Sequence, residues 1–111
     1  MLKNLLVEVG TVTRFGKCNT ISYVQFVWNE RKAKSNLRKH GVSFEEASSA
    51  FGDPLAAYYP DTLHQDRFVL IGYSEQQRLL YVVHAEVLKN EIRIISARRA
   101  TKHEKKHYES D

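Results

Sequence analysis

The chain has 111 residues, 42% hydrophobic and 27% charged, which fits one globular domain and excludes a disordered one. No apolar run approaches the roughly 20 residues of a membrane span. The apolar stretch within Met1–Val9 is short for a secretory signal, and no small-residue cleavage site follows it. A lone cysteine, Cys18, excludes an internal disulfide and a cysteine-based zinc site, so a cytoplasmic setting is expected. The net charge of +4 is unevenly spread: residues 30–39 carry +4 and residues 98–109 carry +3, leaving the rest at −3. Such concentration favours a polyanionic partner, either nucleic acid or an acidic protein segment.

Residues 1–22 contain Gly10, Gly16, scattered threonines and one short apolar stretch, Leu5–Val9. They read as an added strand, a flexible arm, or a segment upstream of the natural start, and are set apart from a domain spanning 23–111. From Tyr23 to Trp28 the chain alternates and is rich in β-branched and aromatic residues, so it predicts a strand. Asn29 predicts the cap of a helix through Lys39, with Trp28 stapled on Ala33, an apolar stripe of Ala33 and Leu37, and Gly41 as its stop. Ser43 and Glu46 form a capping-box pattern for a second helix that buries Phe44, Ala47, Ala50 and Phe51 and ends at Gly52 and Pro54.

Leu55–Tyr59 predicts a strand leading into three more at 67–74, 79–86 and 91–99. Gly72, inside the first of these, predicts a bulge or bend. The segment Ile94 to Thr101 runs from a strand into a basic helix at 102–109, with Thr101 and Glu104 as its capping box. The whole is an α+β domain: an antiparallel sheet meander with two N-terminal helices packed on one face and a C-terminal helix.

Turn lengths give a first estimate of register. Pairing Ser74 with Leu79 places Val69 opposite His84 and Arg67 opposite Glu86. Pairing Leu88 with Glu91 places Glu86 opposite Arg93 and His84 opposite Ile95. One face then holds Phe68, Leu70, Tyr81, Val83, Ile92 and Ile94 under the helices. The other gathers Arg67, His84, Glu86 and Arg93 at one end. These are parts suited to phosphodiester cleavage: two guanidinium groups, an imidazole and a carboxylate. The same residues also describe a cross-strand ion-pair ladder with a bystander histidine, the reading that the residues alone favour, and a one-residue slip would scatter them.

The other histidines carry less. His103 and His107, one helical turn apart, lack a third metal ligand. His64 reads as loop, and His40 as a C-cap helper or a proton donor to bound phosphate. No phosphate-binding loop, dinucleotide fingerprint or Ser-His-Asp spacing is present.

With these residues in view, the chain resembles the BrnT family of toxins from bacterial type II toxin–antitoxin pairs. The matching pieces begin with Phe26-Val27-Trp28-Asn29-Glu30-Arg31-Lys32-Ala33, Asn36, and Lys39-His40-Gly41-Val42-Ser43-Phe44-Glu45-Glu46-Ala47. They continue with Phe51-Gly52-Asp53-Pro54, Arg67-Phe68-Val69-Leu70-Ile71-Gly72, and Ile94 to Thr101 with Glu104 and Tyr108. Residues 1–22 have no counterpart in that pattern. The resemblance implies a RelE-like fold, RNA cleavage that blocks translation, and neutralisation by a BrnA-like ribbon-helix-helix antitoxin. The toxin and antitoxin would form a hetero-oligomer that binds operator DNA only as a complex.

The expected activity is a metal-independent endoribonuclease without cofactor or membrane partner. His84 or Glu86 would act as base, Arg67 and Arg93 would stabilise the transition state, and Arg98 would hold the backbone phosphate. Lys39 or His40 would serve the leaving oxygen. Lys32, Lys34, Arg99, Lys105 and Lys106 would supply salt-sensitive RNA affinity. The alternative is a non-catalytic RNA-binding or protein-interaction module.

Overall fold

The alternating, β-branched stretch that ends at Trp28 forms the inner strand of a six-stranded mixed sheet. The computed structural model describes the backbone of residues 2–12, 18–88 and 90–110, and the side chains of residues 24–86 and 90–110. The elements run β1 Leu2–Val12, β2 Cys18–Asn29, α1 Glu30–His40, α2 Phe44–Ser49 with a 3-10 turn at Ala50–Gly52, and β3 Ala57–Pro60. Then come β4 Phe68–Tyr73, β5 Leu79–Leu88, β6 Glu91–Arg99 and α3 Lys102–Glu109. The sheet order is β1-β2-β6-β5-β4-β3. β3 to β6 form the expected antiparallel meander. The expectation of a wholly antiparallel sheet is corrected at one junction, where β2 joins β6 in parallel over Gln25–Val27 and Glu91–Arg93.

The helix boundaries follow from their caps. The Asn29 side chain accepts from Lys32 N–H, Gly41 closes α1 in the left-handed region at φ 70°, and Ser43 accepts from Glu46 N–H. Around α3 both halves of the capping box form between Thr101 and Glu104. The Ser43 box is only half made, because the Glu46 carboxylate turns inward. It accepts from Ser74 Oγ (2.7 Å), Arg78 Nε (2.9 Å) and Arg78 Nη2, while Nη2 also donates to the Gly41 carbonyl. Arg78, in the β4–β5 turn, thereby holds the corner between α1 and α2.

Paired residues fix the faces. Phe68, Leu70, Leu80, Val82, His84, Ile92, Ile94 and Ala97 share one face with Phe26 and Trp28. On it lies the core, closed by Val42, Phe44 and Ala47 from the helical side, with Trp28 edge-on to Phe44 at 6.0 Å. The expected placement of Tyr81 and Val83 under the helices is corrected: they lie on the opposite face. Across that face runs α3, fixed by Tyr108 to Asp53 (2.8 Å) and by Arg98 to Glu104. Gly72 makes no bulge. It pairs regularly with Leu80, and a Cβ there would sit 3.0 Å from the Ala50 carbonyl, so the glycine admits the 3-10 turn.

β2 leaves the sheet at Asn29, so β6 beyond Arg93 would have an unpaired edge. Asn36 supplies the missing partner. Its carboxamide accepts from Ala97 N–H (3.1 Å) and donates to the carbonyls of Ala97 (2.8 Å) and Val42 (3.0 Å). The buried stripe of α1 therefore runs through Ala33 and Asn36, and Leu37, expected inside, is 49% exposed. Removing the amide leaves buried backbone groups unsatisfied at about 1–3 kcal/mol each. Asn36→Ala, which strips three such groups of their partner, should thus lower the unfolding free energy by about 3 kcal/mol or more in denaturant titrations. A loss below about 0.5 kcal/mol, the range of an ordinary surface substitution, would contradict the assignment.

Candidate functional site

Asn36 holds α1 beside the free edge of β6, and a basic groove lies between the two. One cavity of about 260 Å³ is lined by Lys32, Ser35, Asn36, Lys39, His40, Ile95 and Ser96. A second, of about 120 Å³, shares Lys32 and Ile95 and adds Asn29, Arg93 and Ile94. No carboxylate lines either cavity among the described residues, so Lys32, Lys39 and Arg93 face the groove without a negative neighbour in its walls.

The backbone explains this convergence. Val83 pairs with Ser96 and His84 with Ile94, so Ile95 is the extra residue of a β-bulge. A bulge re-aims the side chains beside it, and this one lies where β6 turns its edge to α1. At the end of α1, Lys39 and His40 sit exposed in its last turn, where cations are favoured by the helix dipole.

The expected cluster of Arg67, His84, Glu86 and Arg93 does not form. Tyr73, not Ser74, pairs with Leu79, and the one-residue slip sets His84 opposite Phe68. Bulges between Val83 and His84 and between Glu86 and Leu88 then set Glu86 opposite Ile92 and Arg93 opposite Ala85. His84 and Arg93 thus point to opposite faces. Arg67 lies in the loop before β4, where its carbonyl accepts from Asp61 N–H at 3.0 Å.

His84 is fully buried, edge-on to Phe51 at 4.8 Å. Its Nδ1 faces the Val82 carbonyl at 3.4 Å, which leaves Nε2 to accept from the Tyr58 hydroxyl at 2.8 Å. Burial drives the imidazole down to about 4 and raises the Tyr58 phenol to about 12. Tyr58, 48% exposed, also brings its hydroxyl to 3.5 Å from Glu86 Oε1. His84 is a buried core residue whose polar outlet is the Tyr58 hydroxyl.

The remaining predicted residues separate into groups. The Arg98 guanidinium makes two 2.8 Å bonds to Glu104 and lies 4.1 Å over the Tyr81 ring, so it anchors α3. The hydrogen-bonded Arg98 holds the Glu104 carboxyl below its usual range. Lys34 lines a separate depression on α1 with Glu30, Arg31 and Arg38. Arg99 and Lys105 share a pocket with Arg78 and Lys102, and Lys106 is exposed on α3. His103 and His107 lie 5.3 Å apart between ring centres, and His64 is exposed in its loop. No group of three or more metal-ligating side chains occurs among the described residues. Sequence reasoning missed the inward role of Glu46 and Arg78, because a capping-box glutamate and a turn arginine both look solvated.

A family model described as the ribonuclease toxin BrnT of type II toxin–antitoxin systems matches residues 28–104. Among solved structures, the chain is similar to the Brucella abortus ribonuclease toxin BrnT, at 26% identity and a TM-score of 0.56. That match covers 68% of this chain and 94% of the Brucella chain. No curated protein sequence matches. No helix among the described residues is long and apolar enough to cross a membrane.

The environment of His84 has a pH consequence. The unfolded chain takes up a proton near pH 6.5, whereas the folded imidazole resists until about 4. Its contribution to stability is complete above pH 6.5 and is lost as pH falls towards about 4. An NMR titration should find the His84 ring neutral at pH 5.5. A ring that titrates at or above 6.5 would refute the buried Tyr58–His84 pair.

Proposed function

The chain belongs to the BrnT family of ribonuclease toxins of type II toxin–antitoxin systems, and on that premise we propose that it cleaves single-stranded RNA in the groove between α1 and β6. The observation that carries this reading is the set of cations, Lys32, Lys39 and Arg93, converging on a groove whose walls hold no carboxylate among the described residues. Such a surface attracts and orients a phosphodiester and favours the extra charge of its transition state.

In this reading cleavage needs no metal. His40 removes the proton from a ribose 2′-hydroxyl, and that oxygen attacks the adjacent phosphorus. The bond to the 5′-oxygen breaks, and Lys39 supplies the proton to the leaving oxygen. The products are a cyclic phosphate and a free 5′-hydroxyl. Lys32 and Arg93 hold the phosphoryl oxygens. Histidine is the residue type that exchanges protons near neutral pH, and His40 is the imidazole in the groove wall. Of the other residues expected to be catalytic, His84 and Glu86 contact Tyr58 of β3 and, like it, lie outside the groove walls. Arg98 acts by fixing α3, and Arg67 lies outside the groove walls.

The same reading includes a RelE-like block of translation in the cytoplasm. It includes neutralisation by a BrnA-like ribbon-helix-helix antitoxin whose acidic segment covers the basic groove, leaving operator binding to the complex. Residues 23–111 form the toxin domain, and residues 1–22 are an N-terminal extension whose strand Leu2–Val12 pairs along β2.

Purified protein should cleave single-stranded RNA in the presence of EDTA. Lys39→Ala and His40→Ala should each lower the rate about 10²–10⁴-fold, the usual cost of losing one proton-transfer group, with circular dichroism unchanged. Cleavage that vanishes with EDTA and returns with one divalent ion would overturn metal independence. RNA bound yet left intact would favour the non-catalytic binding module.

A further inference from the structure

The second basic pocket lies beyond the groove, at the far end of β6. It measures about 230 Å³, and its walls include Arg78, Arg99, Lys102 and Lys105 together with Tyr73. Arg78 is partly neutralised by Glu46 behind it, and Arg99 also acts on that carboxylate, helping to keep it ionised. Against Glu46, and Glu104 which Arg98 neutralises, stand four positive charges. The N-terminus of α3 adds little of its own, since Thr101 N–H is already bonded to Glu104 and Glu104 N–H to Thr101. Any anion here is held by side chains.

The pocket and the groove are neighbours at the corner between α1 and α2. Arg78 Nη2 donates to the carbonyl of Gly41 at 3.0 Å, and Gly41 directly follows His40 in the groove wall. β6 supplies Arg93 to the groove and Arg99 to the pocket, about 20 Å apart at the strand rise of roughly 3.3 Å per residue and on opposite faces of the sheet. The link between the two sites therefore runs past Gly41 and Arg78 and not along one face of β6. Tyr73 adds an aromatic surface to the cations, the combination that binds single-stranded nucleic acid by phosphate contact and base stacking.

We propose that the pocket formed by Arg78, Arg99, Lys102 and Lys105 is a remote nucleotide subsite, which holds a backbone phosphate of an RNA strand that leaves the α1–β6 groove past His40 and Gly41. The proposal rests on the ribonuclease reading for its ligand and deepens it: the substrate is an extended single strand several nucleotides long. Lys102 and Lys105 touch no reacting atom, so they set affinity and not the chemical step.

The test is the double variant Lys102→Ala/Lys105→Ala, at exposed helix positions where alanine preserves the helix. Two readouts are needed: kinetics on a long single-stranded RNA, and salt-dependent binding of a non-cleavable 2′-deoxy strand of the same length. The variant should raise KM about tenfold with kcat unchanged. Its slope of log affinity against log salt should fall by about 0.7 for one lost single-strand phosphate contact. An unchanged KM and slope would overturn the subsite while leaving the ribonuclease reading intact. A lowered kcat at unchanged KM would also overturn it, since the pocket would then act on chemistry. If the wild-type chain cleaves nothing, the ribonuclease reading fails, and the binding slope alone decides the pocket. If the substitutions weaken only capture of an acidic antitoxin, the site belongs to a protein partner and the proposal is wrong.

Discussion

The arrangement of this molecule depends on one carboxamide. A strand that loses its neighbour in mid-sheet must find new partners for its peptide groups, since buried backbone donors and acceptors are rarely left unpaired. β6 loses β2 beyond Arg93, and Asn36 takes both the N–H and the carbonyl of Ala97. That exchange sets the distance and rotation of α1 against β6. It brings Lys32, Lys39 and His40 to face Arg93 and Ser96 across a groove. The basic surface is therefore a consequence of how a sheet edge is closed. Its cations sit on rigid elements, which is what a site that must orient a phosphate requires.

Two further polar anchors make that surface durable. Arg78 ties the β4–β5 turn to Glu46 and to the Gly41 carbonyl, so the α1–α2 corner cannot drift from the sheet. On the opposite face, Arg98 is committed to Glu104 and Tyr81, while Tyr108 reaches Asp53. These contacts separate cations by task. Arg98 and Arg78 have carboxylate partners that hold the fold, Arg78 also reaching the second pocket, while Lys32, Lys39 and Arg93 line a groove with no carboxylate in its walls among the described residues. A count of positive charge along the sequence does not make that distinction.

Much of the architecture was legible because it is written in local chemistry. Asn29, Gly41, Thr101 and Glu104 mark helix ends by bonds made within a few residues, and the strand at 91–99 and the helix at 102–109 fall where their patterns place them. The faces of the sheet were not legible. Ser74 is drawn out of the ladder, its N–H bonded to the Arg78 carbonyl and its hydroxyl to Glu46, with Gln77 in the left-handed region at φ 63°. That lengthened turn moves the β4–β5 register by one residue and carries His84 into the core. The bulge at Ile95 likewise has no local sequence mark. Asn36 was hidden for a related reason: a polar residue in a basic helix reads as solvent-facing until the edge that it completes is known. The candidate site was therefore half legible. Lys32, Lys39, His40 and Arg93 were singled out as residues, but their meeting in one groove depends on long-range pairing.

The central claim is that RNA lies in the groove between α1 and β6, and the most direct measurement is chemical-shift mapping of the isotope-labelled chain. A non-cleavable 2′-deoxy strand should be added at low salt. The account predicts perturbations concentrated at Lys32, Lys39, His40, Arg93 and Ser96. Perturbations centred instead on Arg67, Tyr58 and Glu86, with the α1–β6 groove silent, would contradict it.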